Sequence, residues 1–498
     1  MALLLGYDIG SSSIKATLMD AETGQVVGSA TSPKEEMAIM AQQSGWAEQH
    51  PDTWWTHIKT ATREIKQTIP FEATDIKAIG IAYQMHGLVA VDKQGAVLRP
   101  SIIWCDSRAV EIGRAAAQGI GENRCLESLL NLPGNFTASK LKWVKENEPQ
   151  IYDQIDKIML PGDYIAYRLT GRIRTTPSGL SEGILWDFNK KGLADLLMKY
   201  YGLDERFIPE IVPTFSDQGE LTAQAAAELG LARGTKIAYR AGDQPNNALS
   251  LNVLEPGEVA ATAGTSGVVY GISDQRDYDK KSRVNTFVHV NHSADLERYG
   301  VLLCLNGTGI LNSWLKHNVG DGMDYAEMND LAMTAPIGSE GLTILPFGNG
   351  AERTLENRDI GAAMTHLNFN IHSRAHMLRA AQEGIVFALN YGCDVMKQAG
   401  VQTQTIRAGY ANMFLSPLFR QAFANITGAV VELYNTDGSQ GSARGAGLGA
   451  GVYASAKEAF SGLDCQKTIE PDPKDQAAYK EAYATWLAAL DDQMGATS

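Results

Sequence analysis

LLLGYDIGSSSIKATLMD, residues 3–20, reads as an apolar strand, a tight turn of glycine and serines, and a second strand. Three leucines in a row with Tyr7 and Ile9 suit a strand covered on both faces. Gly10-Ser11-Ser12-Ser13 supplies the turn. About half a chain length later, EVAATAGTSGVVYGI, residues 258–272, repeats the design, with its turn opening at Gly264. Similar elements at that interval predict two domains of related build. Strands are expected over 76–82, 97–104 and 236–240, and helices over 53–68 and 135–148. Such alternation predicts α/β domains. A long helix is expected over 372–396, a short strand over 405–408, and a surface helix over 475–490. The boundary is placed at 251–257, giving domains 1–252 and 253–498.

The chain has 498 residues, enough for two large cores. Its net charge of −14 argues against a nucleic-acid partner, because an acidic surface repels a phosphate backbone. A nest of N–H groups can still hold a nucleotide's phosphates locally. Cys105, Cys125, Cys304, Cys393 and Cys465 are odd in number and widely spaced, and no C-x-x-C occurs. That predicts no disulfide framework and no zinc site, with each cysteine a small buried hydrophobe in a reducing compartment. No apolar run approaches the roughly 20 residues that span a bilayer. A cytoplasmic protein with no membrane partner is expected.

The first turn brings Asp8 and Lys15 to a run of small residues. Successive N–H and hydroxyl groups at Gly10, Ser11, Ser12 and Ser13 could surround phosphate oxygens, and Asp8 could hold Mg²⁺ directly or through water. An ordinary hairpin with an incidental aspartate would look the same. Ala263-Gly264-Thr265-Ser266-Gly267 is a second turn of this kind, and two could grip one polyphosphate. Neither is a Walker loop, and no G-x-G-x-x-G follows the first strand. Asp243, after Ala241-Gly242 at a strand end, could be a base for an attacking hydroxyl or an Asx-turn residue. Gln84-Met85-His86-Gly87 and Trp104-Cys105-Asp106-Ser107-Arg108 could line a polar pocket. For Asp106 and Arg108 a structural salt bridge is as good an account as ligand contact.

GYDIGSSSIKA, QMHG, WCDSR, FTASKLKWVKENEP, LPGDYIAYRLTG, AGDQ, AGTSG, HSRAHMLRAAQEGIVFALN and GSARGAGLGAG occur in this order, from about residue 4 to about residue 450. Together they resemble the FGGY family of carbohydrate kinases. The resemblance implies an actin-like, ribonuclease-H-like ATPase fold, two α/β domains about a central cleft. It implies ATP and Mg²⁺ as cofactors, with Asp8 as the metal carboxylate and Asp243 as the general base. Gly10, Ser11, Ser12, Ser13 and Lys15 would serve the phosphates from the first domain, and Gly264 and Thr265 from the second. Gly309 and Ser313, then Gly409, Tyr410 and Asn412, are implied on the nucleotide side. Met85, His86, Trp104, Asp243 and Gln244 are implied to touch the sugar.

Met85-His86 stands where family members acting on glycerol carry Arg-Glu, and is similar to the branch acting on D-xylulose. The implied reaction is transfer from ATP to D-xylulose, giving the 5-phosphate. Ribulose, gluconate or glycerol as acceptor, and a non-catalytic actin-like ATP-binding protein, are the rival readings. This chain departs from the pattern at Gln244, where asparagine is usual for that branch. It departs again at Ala408, where the adenosine turn is usually Gly-Gly, and in a loose match over 413–427. A homodimer is left open, with 274–298 as a candidate contact segment.

Overall fold

The computed structural model describes residues 1–496. The chain clusters into two units. The first holds Met1–Asn252, Phe287–Tyr299 and Thr436–Leu463, and the second holds Val253–Thr286, Gly300–Asn435 and Asp464 onward. The first break falls within 251–257, and two later segments return to the first unit.

The first unit is built on a five-stranded sheet of β1 (Leu3–Ile9), β2 (Ile14–Asp20), β3 (Val26–Ser32), β4 (Ile76–Tyr83) and β5 (Lys236–Gly242). The order is β5-β4-β1-β2-β3. β1 lies antiparallel to β2 and parallel to β4. Both faces of β1 are covered, which is why its residues form a nearly unbroken apolar run. On one face lies α1 (Pro51–Thr68), through Trp54, Ile58 and Ile65. On the other lies the glycine-rich helix Gly438–Gly449. That helix can touch the sheet because Gly6 and Gly80 carry no side chain. A Cβ at either would stand 1.9 Å from a carbonyl oxygen of Ser439 or Ser442.

The second unit repeats the frame. Its sheet comprises β6 (Glu258–Ala263), β7 (Gly267–Ser273), β8 (Asn285–Val288), β9 (Tyr299–Leu305), β10 (Thr405–Gly409), β11 (Val430–Tyr434) and β12 (Cys465–Ile469). The order is β8-β9-β7-β6-β10-β11-β12. Here β6 is antiparallel to β7 and parallel to β10, as β1 is to β2 and β4. The long helix Arg374–Gln398 contributes Ile385 and Leu389 to a core with Val259, Ile406 and Phe423.

Three sequence expectations are corrected. The strand expected over 97–104 is reduced to Ser101–Ile102, because Pro100 offers no N–H to a ladder and Trp104 already lies in a turn. The terminal helix, Gln476–Ala496, is no surface addition, since Trp486 and Leu490 are buried in the second core. Among the cysteines, Cys125 and Cys393 are buried, but Cys105 and Cys465 are exposed; all five are free thiols. Among the described residues no helix is long and apolar enough to cross a membrane.

Candidate functional site

The first turn is closed by a hydrogen bond from the Gly10 N–H to the Ser13 carbonyl, 3.1 Å. It places Asp8 opposite Lys15 across the hairpin. Lys15 reaches Asp437, with Nζ 2.5 Å from Oδ2. Asp437 caps Gly438–Gly449, its carboxylate accepting from the Gln440 N–H at 3.1 Å. Asp8 rests on the first residue of that helix, since a Cβ on Gly438 would stand 2.3 Å from Asp8 Oδ2. Burial, then the charges of Asp243 and Asp437, push the Asp8 carboxyl up to about 7, with Lys15 working against them. Burial also pushes Asp437 up, but Lys15 and the hydrogen bonds from Ser439 and Gln440 together outweigh it, and Asp437 stays below the ordinary carboxylate value.

Asp243 opens the helix Asp243–Ser250 at the end of β5, with Gly242 as its N-cap. A helix start at a strand end presents the carboxyl beyond the sheet while the apolar side of the helix packs behind it. Gln244 Nε2 lies 3.3 Å from Asp243 Oδ2. Burial pushes Asp243 up to about 6, against hydrogen bonds from Gln244 that lower it. Asn246, a turn later, donates to the Gly438 carbonyl at 2.8 Å and so ties this helix to the one capped by Asp437. Asp8, Lys15, Asp243 and Asp437 thus form one electrostatic cluster with three carboxyls and one cation.

That excess of negative charge suits a divalent cation. Among the described residues no group of three His, Cys, Asp or Glu side chains is placed to bind a metal ion together. A single carboxylate such as Asp8 fits an ion that completes its shell with water and phosphate oxygens, the habit of Mg²⁺.

Met85 is buried against Gly242, and His86 adopts a left-handed backbone, φ 61°. His86 Nδ1 lies 2.8 Å from the Glu182 carbonyl, and the ring meets Phe136 edge-on with centroids 4.7 Å apart. Lys140, fully buried, donates to the carbonyls of His86 and Ile103, both at 2.9 Å. Burial pushes the Lys140 ammonium down to about 7. Trp104 is brought to the first turn, its Nε1 donating to Ser11 Oγ at 3.2 Å, with half of the side chain open. Gln84 is buried below, its Nε2 3.4 Å from Gln49 Oε1. Arg108 proves structural: it is paired with Asp106 and Glu48, each at 2.7 Å, and stacks 3.8 Å over Trp46.

In the second unit, the Gly309 N–H donates to the Gly264 carbonyl at 2.8 Å, and Thr308 Oγ1 reaches the same oxygen at 2.8 Å. Gly309 starts the helix Gly309–Asn318, so the second turn is fastened to a helix N-terminus; Thr265 and Ser313 flank it, Ser313 one helical turn on. Asn412, at φ 53°, brings its side-chain nitrogen near Gly264, 3.6 Å from where a Cβ there would stand. The Tyr410 N–H is held by the Tyr434 carbonyl at 2.8 Å, and the space beside Gly409 is open. The structure brings Gly264, Gly309 and Asn412 together.

Asp437 and Glu182 were not singled out in the sequence. Asp437 had a signal: Asp-Gly after a strand and before a glycine-rich helix is an N-cap pattern. Glu182, in PSGLSEG, had none, since a glutamate in a short polar helix reads as a surface residue.

The FGGY family of carbohydrate kinases matches twice, its N-terminal domain over residues 3–250 and its C-terminal domain over 259–454. Xylulose kinase of Escherichia coli K12 is 30% identical over 97% of this chain and 98% of its own length. A solved structure from Brucella ovis, described as a "xyloylose kinase", superposes with a TM-score of 0.88 at 26% identity, covering 98% of this chain and 99% of its own. Gluconate kinase from Lactobacillus acidophilus superposes at 0.91 and 22% identity, over 100% of this chain and 99% of its own, a likeness of fold. The chain belongs to the FGGY family of carbohydrate kinases, on the actin-like two-domain ATPase fold.

Proposed function

We propose that the protein transfers the terminal phosphoryl group of ATP to O5 of D-xylulose, with Asp243 as the base. The observation that carries the mechanism is the Asp243 carboxyl, set by Gly242 at a helix start and raised toward neutrality. Such a group is ionised at pH 7–8 yet basic enough to accept the proton of the attacking hydroxyl. His86, Met85, Trp104 and Gln244 would hold the sugar, Gln244 also fixing Asp243 from the side. The Gly10–Ser13 turn and Lys15 would meet phosphate oxygens on the first unit. Gly264, Thr265, Gly309 and Ser313 would bind the phosphates on the second, and Gly409, Tyr410 and Asn412 the adenosine. Asp8 would hold Mg²⁺, which would neutralise charge on the phosphate oxygens. An enzyme fed by ATP and a free sugar fits the cytoplasm.

D-Xylulose is favoured over a sugar acid by Met85-His86 and by the state of Arg108. Its guanidinium is consumed by Asp106, Glu48 and Trp46, so it does not serve a substrate carboxylate. The test is ADP release from Mg-ATP with D-xylulose, D-ribulose, L-xylulose, D-gluconate, glycerol or no acceptor. D-Xylulose should give the highest kcat/KM. Preference for gluconate would overturn the substrate, and ATP binding without acceptor-stimulated turnover would overturn the activity.

A further inference from the structure

Glu182 ends the short helix Pro177–Glu182 and is 1% exposed. Its carbonyl oxygen holds His86 Nδ1 at 2.8 Å. Its carboxyl lies against Gly242, where a Cβ would stand 2.4 Å from Oε2 and 2.6 Å from Met85 Cγ. Gly242 immediately precedes Asp243, and Met85 immediately precedes His86. The His86 contact at Nδ1 is made by the main chain, but the carboxyl also accepts from the His86 backbone N–H, so one buried side chain backs both Gly242-Asp243 and the sugar-binding turn. Its Oε1 is buried with no hydrogen-bond partner, and among the described residues Glu182 has no ion pair. A buried carboxyl without a cation is neutral, because desolvation penalises the charged form by far more than the neutral one. Lys140, whose charge Glu182 feels, donates instead to the carbonyls of His86 and Ile103.

We propose that Glu182 is a positioning residue of the phosphoryl transfer, an uncharged acid that fixes His86 and backs Gly242-Asp243, leaving Asp243 as the member of the pair that ionises. This rests on the kinase reading above. Burial and the Asp243 charge both push Glu182 far above the carboxylate range, while the His86 backbone N–H opposes them. The other titratable groups facing the pair are Tyr83, Asp163, Arg240 and Lys140 on the Glu182 side and Asp8, with Lys15 and Asp437 behind it, on the Asp243 side; Asp163 and Arg240 pair with each other at 3.0 Å. An ionised carboxylate beside Asp243 would raise the free-energy cost of ionising Asp243 and tend to hold it protonated at neutral pH. The neutral acid avoids this while keeping the volume that positions both arms.

The test uses Glu182→Gln, Glu182→Ala and Glu182→Met in the full chain. Glu182→Gln keeps shape and neutrality, so kcat, both KM values and the acid limb of the pH profile should stay within about threefold of wild type. Glu182→Ala, or Glu182→Met if the alanine variant does not fold, should raise the sugar KM at least about tenfold with the ATP KM unchanged. A merely structural residue would lower the unfolding temperature without that split. An acid limb displaced downward in Glu182→Gln would show that Glu182 is ionised, and overturn the proposal. So would a folded alanine or methionine variant with an unaltered sugar KM. A readout independent of turnover separates this from failure of the kinase reading. The wild type at pH 7 should show an infrared C=O band of a buried protonated carboxyl that is lost in Glu182→Gln; absence of that band refutes the proposal even if no sugar proves to be an acceptor.

Discussion

The two glycine turns share a frame and differ in charge. In the first hairpin the pair one step out from the turn is Asp8 opposite Lys15; in the second it is Thr262 opposite Val268. Both turns are backed by a glycine that begins a helix. Gly438 lies under the Asp8 carboxylate, and Gly309 lies under the Gly264 carbonyl. Duplicated backbone geometry thus carries two chemistries. On the proposed function both turns would offer N–H and hydroxyl groups to phosphate oxygens, and the charged hairpin alone would also hold a cation through Asp8. Variants can break this contrast at each point.

The largest effect is expected from the base. Asp243→Ala should lower kcat by about 10³-fold, within the usual range for a general base, while ATP binding measured by calorimetry stays near wild type. Loss of ATP affinity instead would make Asp243 a nucleotide ligand. Asp8→Asn should cost about 10²-fold in kcat and raise the Mg²⁺ concentration needed for half-activity. Thr262→Val, at the matching position of the neutral hairpin, should change kcat by less than about twofold. Equal losses at the two positions would dissolve the distinction between the hairpins.

The glycines sharpen it. A Cβ on Gly309 would meet the Gly264 carbonyl oxygen at 2.4 Å, backbone that cannot swing aside. Gly309→Ala should raise the ATP KM about tenfold and leave the sugar KM alone. On Gly438 the clash is with Asp8 Oδ2 at 2.3 Å, a side chain that can turn. Gly438→Ala should therefore act on kcat and Mg²⁺ dependence rather than on ATP affinity.

Much of this contrast was legible in the sequence, because hairpins are local. Both turns, the alternation of strands and helices, and Asp243 beside a glycine all sit within short windows. What was hidden depends on segments far apart in sequence. Lys15 and Asp437 are 422 residues apart, and only the return of Thr436–Leu463 to the first unit brings them together. Glu182 was hidden for another reason. Its burial is set by packing against Gly242 and Met85, and nothing in PSGLSEG distinguishes a covered glutamate from a solvated one. The strand expected over 97–104 fails locally at Pro100, whose missing N–H outweighs the apolar residues around it.

The smallest expected effect is on stability, and its sign is opposite to that on activity. Asp243 is raised to about 6 by burial, above the roughly 3.9 of an unfolded aspartate. Its contribution to stability is therefore complete below about pH 4 and is lost as pH rises through 6, because the unfolded chain releases the proton more readily. If Asp243 is the base, as proposed, turnover needs the ionised form and should rise over the same interval. Asp243→Asn removes that ionisation while keeping the shape, so it should raise the unfolding temperature by a few degrees at pH 8 and by less at pH 5, while abolishing most activity. Thermal unfolding of wild type and variant at the two pH values checks this. A variant less stable than wild type at pH 8 would mean that the Asp243 carboxylate is held by favourable contacts in the folded protein, and that the first hairpin's charge cluster is relaxed rather than poised.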